Sequence, residues 1–295
     1  MSASSSEPVS GYQLDAENAA EMARLTKQAR MLSTMLGLFP GTVDLTHTSR
    51  VLDLGCGPGE WILEMARFSP ASLFTGVDIS ELMISYARHC AQERQVSNAQ
   101  FQVMDVRRPL AFPNASFDLV HSRFVSGFLS VTTWPSLLRE CFQMLRPGGV
   151  FCNTEFESLG VTTSLALTRY NHLIVQAARQ AGQCFTPEGD QYGITAVHAR
   201  LFQEAGFQQI EQQAHVINYS AGMPAHQAIY DNFRTLMKLI QPFLVRQGVT
   251  TQEEIEVLYT RALEEMEAET FCAVAYFQRI WGRKSEARNL LSSIS

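Results

Sequence analysis

Three glycines alternate in the segment Val51-Leu-Asp-Leu-Gly-Cys-Gly-Pro-Gly59. An apolar run that ends in such a turn and leads into a helix lets a ligand approach the backbone closely, because glycine lacks a Cβ and accepts tight conformations. Gly55, Cys56, Gly57 and Gly59 are therefore candidate ligand contacts. Carboxylates sit at the ends of the runs. Asp53 precedes the first glycine, Asp78 closes Phe74–Asp78 at 19 positions past Gly59, and Asp105 lies between Met104 and Val106. An acid at the end of the second strand of such a unit grips ribose hydroxyls. Asp105 is placed to accept a hydrogen bond from an adenine amino group, with Met104 and Val106 against the ring. The G-x-G-x-G spacing is not the G-x-G-x-x-G of a dinucleotide fingerprint. Asp53 opposes a pyrophosphate and suits a ligand with an ammonium or sulfonium group. A dehydrogenase is disfavoured on both counts.

The elements that would position these groups alternate. Strands are expected at Val51–Leu54, Ser72–Val77, Phe101–Met104, Phe117–His121 and Val150–Phe156. Helices are expected at Trp61–Phe68, after Ser80, and at Trp134–Leu145. This rhythm predicts an α/β, doubly wound, mostly parallel sheet with helices on both faces. Further helices are expected at Ala16–Leu36, capped by Asp15, and at Leu165–Ala181, Ala196–Ala205, Ala225–Val245 and Thr251–Glu269. The last opens on a capping box, Thr251 with Glu254. Two more strands are expected, Phe207–Tyr219 and Phe271–Phe277. The expected organisation is a tail over 1–14, one domain over 15–284 and a tail over 285–295. Within the domain, 15–40 reads as an N-terminal lid helix, and 157–190 and 221–269 as helical insertions.

Together these motifs resemble the class I S-adenosylmethionine-dependent methyltransferases, over about Arg50–Phe156 and again Ala196–Lys284. Val51–Gly59 is similar to the family's first motif, which cradles the methionine part of the donor. Asp78 resembles the ribose acid, with Ile79 beside the adenine, and Met104-Asp105-Val106 resembles the adenine segment. The resemblance implies a Rossmann-like sheet of seven strands in the order 3-2-1-4-5-7-6. It implies S-adenosyl-L-methionine as cofactor, S-adenosyl-L-homocysteine as product and no metal. The sequence His121-Ser-Arg-Phe124 after the fourth strand replaces the Asp/Asn-Pro-Pro-Tyr of DNA base methyltransferases. Similar methyltransferases carry an N-terminal lid, so Tyr12, Arg24 and Gln28 are candidate donor contacts.

Methyl transfer from a sulfonium requires a base only if the acceptor must lose a proton. His121, Glu155 and His172 are the candidates, and His121 is also a candidate contact to the donor's amine. Tyr170 and Ile174 on one insertion, with Phe233 and Met237 on the other, are candidate substrate contacts. Their apolar and aromatic character favours a small, largely apolar acceptor, such as a quinone, polyketide or terpenoid. The alternatives are an RNA or protein methyltransferase and a non-catalytic binder of the donor. A net charge of -6 offers no basic face for nucleic acid. No apolar run is long enough to span a bilayer. The N-terminus lacks a signal-peptide pattern, and the six cysteines form no C-x-x-C. The expected location is cytoplasmic, and the expected state a monomer or homodimer.

Overall fold

A computed structural model describes residues 12–41 and 50–286. The calls on 1–11 and 287–295 lie outside the described residues. Five parallel strands form the core of the sheet: β1 (Arg50–Leu54), β2 (Leu73–Asp78), β3 (Ala99–Val103), β4 (Phe117–Arg123) and β5 (Leu145–Phe156). A two-residue strand, β6 (Val161–Thr162), and two long strands, β7 (Gln208–Asn218) and β8 (Ala273–Arg283), complete it. The sheet runs β3-β2-β1-β4-β5-β8, with β7 paired to β8. Setting aside short β6, this is the order 3-2-1-4-5-7-6 that the resemblance implies. β8 is antiparallel to both neighbours.

β8 runs six residues beyond the expected end at Phe277. Its polar Gln278-Arg279 pair disguises a buried strand. Each side chain there is satisfied internally: Gln278 Oε1 bonds His198 Nδ1 at 3.0 Å, and Arg279 donates to the Gly37 carbonyl at 2.7 Å. Buried polar groups persist only with such partners.

Helices α2 (Glu60–Phe68) and α3 (Glu81–Glu93) cover one face of the sheet through a core that includes Trp61, Ile62, Ile84 and Phe101. Helices α4 (Trp134–Met144) and α6 (Ile194–Ala205) cover the other, around Trp134, Phe151 and Phe202. A third apolar core lies over the carboxyl ends of the strands. It joins α1 (Ala19–Leu36), α5 (Leu165–Gln180), α7 (His226–Arg246) and α8 (Gln252–Glu267). The inserted helices and α1 thus form one roof.

α1 starts later than expected. Asn18, not Asp15, is the N-cap, its side chain accepting from the Ala20 and Glu21 amides. The Asp15 carboxylate accepts from the Glu17 amide at 3.0 Å and shapes the turn before the helix. The expected tail also ends earlier. Gln13 and Leu14 are buried, and Gln13 donates to Gln183 (2.6 Å) and to the Tyr192 hydroxyl (2.9 Å).

Candidate active site

The glycine turn leaves β1 with three positive φ angles, 67° at Gly55, 52° at Gly57 and 79° at Gly59. The Gly57 amide donates to Asp78 Oδ2 at 2.9 Å, and the Ser80 amide to Asp78 Oδ1 at 3.0 Å. The Cys56 amide donates to the Val77 carbonyl at 2.9 Å. These bonds lock the end of β2 to the turn after β1. Burial raises the Asp78 carboxyl above the usual range, against the two amides that favour its charged form.

One cavity opens at this point. Gly55, Cys56, Gly57, Asp78, Ile79, Met104, Asp105 and Val106 line it, and so do Tyr12, Arg24 and Gln28 from the N-terminal segment. Apolar and aromatic side chains line it as well: Phe124, Phe128, Phe156, Leu159, Ile174, Leu236 and Ile240, with Tyr192. The structure therefore brings eleven of the expected cofactor contacts, together with Ile174, to one cavity.

Gly59 is elsewhere. A Cβ there would meet Phe101 at 2.7 Å and Ala87 at 2.9 Å, so its place is fixed by packing of the α2 start against β3 and α3. Asp53 does not line the cavity either. Its Oδ1 is bonded to His121 Nδ1 at 2.8 Å, and the His121 ring stacks on Trp61 at 3.7 Å. His121 lies with Asp53 and Trp61 beneath the cavity wall, and burial lowers its pKa although Asp53 pulls the other way.

Glu155 also stays outside the cavity. It accepts from the Val125 amide (2.9 Å), the Ser126 amide (3.4 Å) and hydroxyl (2.6 Å), and Asn153 (3.1 Å). It clamps the 3-10 turn Val125–Gly127 that follows β4. Burial pushes its carboxyl up to about 7, outweighing these donors. Because the folded pKa exceeds the ordinary value, the folded state holds the proton more tightly. The resulting stabilisation is full below the unfolded pKa and is lost as pH rises through about 7. Between pH 5 and 7.5 the wild type should therefore lose stability relative to Glu155→Gln, by an amount on the order of 1–3 kcal/mol. Parallel stability–pH curves from denaturant titration would contradict this.

His172 is exposed and hydrogen-bonded to Asp190, away from the cavity. Tyr170 is buried in the roof and donates to the Met237 carbonyl. Phe233 and Met237 pack in that same core rather than on the cavity wall, where Leu236 and Ile240 stand instead. None of His121, Glu155 and His172 faces the cavity, and of the four expected substrate contacts only Ile174 does.

Arg107, Arg123, Phe128 and Tyr192 line the cavity without a reading in the sequence, and the expected residues Arg24 and Asp105 have partners that were not expected. The Arg24 guanidinium is held at both ends by Glu21, at 2.7 and 2.6 Å, and also donates to Gln28 (2.8 Å) and Asn232 of α7 (2.9 Å). Glu21 accepts from the Tyr12 hydroxyl too, at 2.7 Å. The signal for this was present, since Glu21 and Arg24 are three apart on a helix. Asp105 is gripped by Arg107 at 2.9 and 2.8 Å, which keeps its carboxyl low despite partial burial. Arg123, at the end of β4, lines the cavity as well. Among the described residues no cluster of three His, Cys, Asp or Glu could hold a metal, and no helix is long and apolar enough to cross a membrane.

The comparisons with known proteins fit this geometry. A family model described as a methyltransferase domain matches residues 51–149. The secondary metabolism regulator laeA of Monascus pilosus is 34% identical over 173 residues, covering 57% of this chain and 43% of the relative. The protein-methionine methyltransferase laeA of Emericella nidulans is 31% identical over 167 residues, covering 56% of this chain and 41% of the relative. The chain thus spans less than half the length of these relatives. A solved phosphoethanolamine N-methyltransferase 2 from Haemonchus contortus, in complex with phosphomonomethylethanolamine and S-adenosylhomocysteine, shares the fold. Its TM-score is 0.51 at 18% identity, over 88% of this chain and 52% of that one. The match over residues 51–149 and the sheet order around it show a methyltransferase domain with the fold of the class I S-adenosylmethionine-dependent methyltransferases.

Proposed function

We propose that this protein transfers a methyl group from S-adenosylmethionine to a small, largely apolar acceptor. One observation carries the reading: a single cavity is lined by nucleoside-type contacts, Gly57, Asp78 and Asp105, and by the apolar side chains Phe124, Phe156, Ile174 and Ile240. The residues suit the donor. Asp78 offers a carboxylate to a ribose, Asp105 an acceptor to an adenine amine, and Ile79, Met83 and Val106 an apolar slot for the ring. The donor supplies a methyl group already activated on sulfur. The chain's task is placement, with the nucleophile held about 3–3.5 Å from the methyl and in line with sulfur. The absence of His121, Glu155 and His172 from the cavity favours an acceptor whose nucleophilic atom needs no protein base.

A protein acceptor is the second reading, supported by the name of the Emericella nidulans relative. Methyl-labelled donor offered with a panel of small phenols and carboxylic acids, with protein substrates in parallel, separates the two. Label in the small-molecule fraction is the expected result. Label confined to protein would overturn the small-acceptor reading.

The N-terminal segment closes the roof. Its far end is anchored: Arg30 pairs with buried Glu60 at 3.0 Å, and the Leu38 carbonyl accepts from Trp61 at 2.9 Å. Its near end, Tyr12 to Ala29, lies over the cavity and is tied to α7 through Arg24 and Asn232. Closure over a ligand excludes water. Hydrogen exchange in residues 12–36 should slow on adding S-adenosylhomocysteine, and removing residues 1–36 should abolish turnover. Unchanged exchange together with full activity of the truncated chain would refute the lid.

A further inference from the structure

Three arginines line the cavity: Arg24, Arg107 and Arg123. Two are matched by a carboxylate, Arg24 by buried Glu21 and Arg107 by Asp105. Arg123 differs. Among the described residues its half-buried guanidinium makes no hydrogen bond and no ion pair. Burial lowers it to about 10, although Asp53 pulls the other way; Arg279 adds to the fall. Sequestering a cation without hydrogen-bond partners is costly.

The backbone fixes it there at a further cost. Phe124, the next residue, adopts a left-handed conformation with φ 58° and ψ 33°. Strain of this kind persists only where the surroundings over-determine it. Here they do: the Phe124 amide donates to the Thr154 carbonyl at 2.9 Å, and Glu155 holds Val125 and Ser126. The bend places Arg123 and Phe124 side by side on the cavity wall. A guanidinium presents parallel N–H donors that match a carboxylate in two-point contact.

We propose that Arg123 is the carboxylate anchor of this cavity. Two sources carry that group. One is the amino-acid end of the donor, which rests on the reading above. The other is an acceptor with a carboxylate on an apolar body. In either case Arg24, already neutralised by Glu21, acts as a strut between α1 and α7.

The test compares wild-type protein with Arg123→Met by calorimetry. The probes are S-adenosylhomocysteine and 5′-methylthioadenosine, a nucleoside without the amino-acid end. If the donor is the source, the variant loses about tenfold or more in affinity for the first and nothing for the second. If the acceptor is the source, both nucleosides bind the two proteins alike. Benzoate then binds the wild type but not the variant, while benzyl alcohol does not distinguish them. Equal behaviour of both proteins toward all four probes would overturn the proposal. Arg123→Lys, which keeps charge without the fork, should fall between and serves if the methionine variant does not fold. Failure of the wild type to bind either nucleoside would sink the donor reading alone, and the benzoate comparison would still decide on Arg123.

Discussion

Replacing Asp78 with alanine should lower the affinity for S-adenosylhomocysteine by roughly 10- to 100-fold, because a hydrogen bond to a charged group is worth about 1.5–3 kcal/mol. The side chain carries two duties. Its oxygens accept from the Gly57 and Ser80 amides, which shapes the turn, and the carboxylate faces the cavity. Loss of the carboxylate leaves the Gly57 amide without its partner in a turn that already runs through three positive φ angles. 5′-Methylthioadenosine keeps the ribose, so it should weaken by the same factor. That parallel loss separates a ribose contact from Arg123, whose replacement affects S-adenosylhomocysteine alone if it holds the donor's carboxylate and neither nucleoside if it holds an acceptor's. Asp78→Asn preserves one acceptor oxygen for the turn and should recover part of the binding. Calorimetry checks all three, with thermal midpoints recorded because Ser80 caps α3. Unchanged affinity in Asp78→Ala would remove the ribose assignment.

The meeting of the glycine turn with Asp78 at one cavity was legible in the sequence because both are tied to strand ends. A glycine turn after one strand and an acid at the end of the next are fixed in register by the parallel sheet, so Gly57 and Asp78 meet without knowledge of anything else. Residues on long helices were less legible. On α7 both sides of the helix are apolar, since Phe233, Met237 and Ile240 enter the roof core while Leu236 packs against it. A stripe that wide does not say which edge faces a cavity, and a rotation of one residue exchanges Met237 for Leu236. The end of β4 shows the same difficulty in a strand. His121 and Arg123 share a face, yet His121 is enclosed by Trp61 and Asp53 while Arg123 reaches the cavity rim. Strand position gives the face; only the helices packed on it decide which side chain is covered.

Gly59 offers the sharpest separation between folding and binding. Gly59→Ala should destabilise the protein by about 2–5 kcal/mol and leave residual ligand affinity in the folded fraction. Two costs add. A left-handed residue other than glycine costs about 1–2 kcal/mol, and φ is 79° here. Overpacking costs about 1–3 kcal/mol, and the new Cβ would lie 2.7 Å from Phe101 Cε1 and 2.9 Å from Ala87 Cβ, in a core with little room to yield. Gly57 is the control. Its φ is 52°, but a Cβ there would have only Leu25 within reach, at 3.9 Å, and would point at the cavity wall. Gly57→Ala should therefore cost stability through the backbone alone, about 1–2 kcal/mol, and should weaken S-adenosylhomocysteine more than Gly59→Ala does. Denaturant midpoints and calorimetry on the two variants measure both effects. If Gly59→Ala proved no less stable than Gly57→Ala, the packing account of the third glycine would fail, and a ligand role for it would have to be restored.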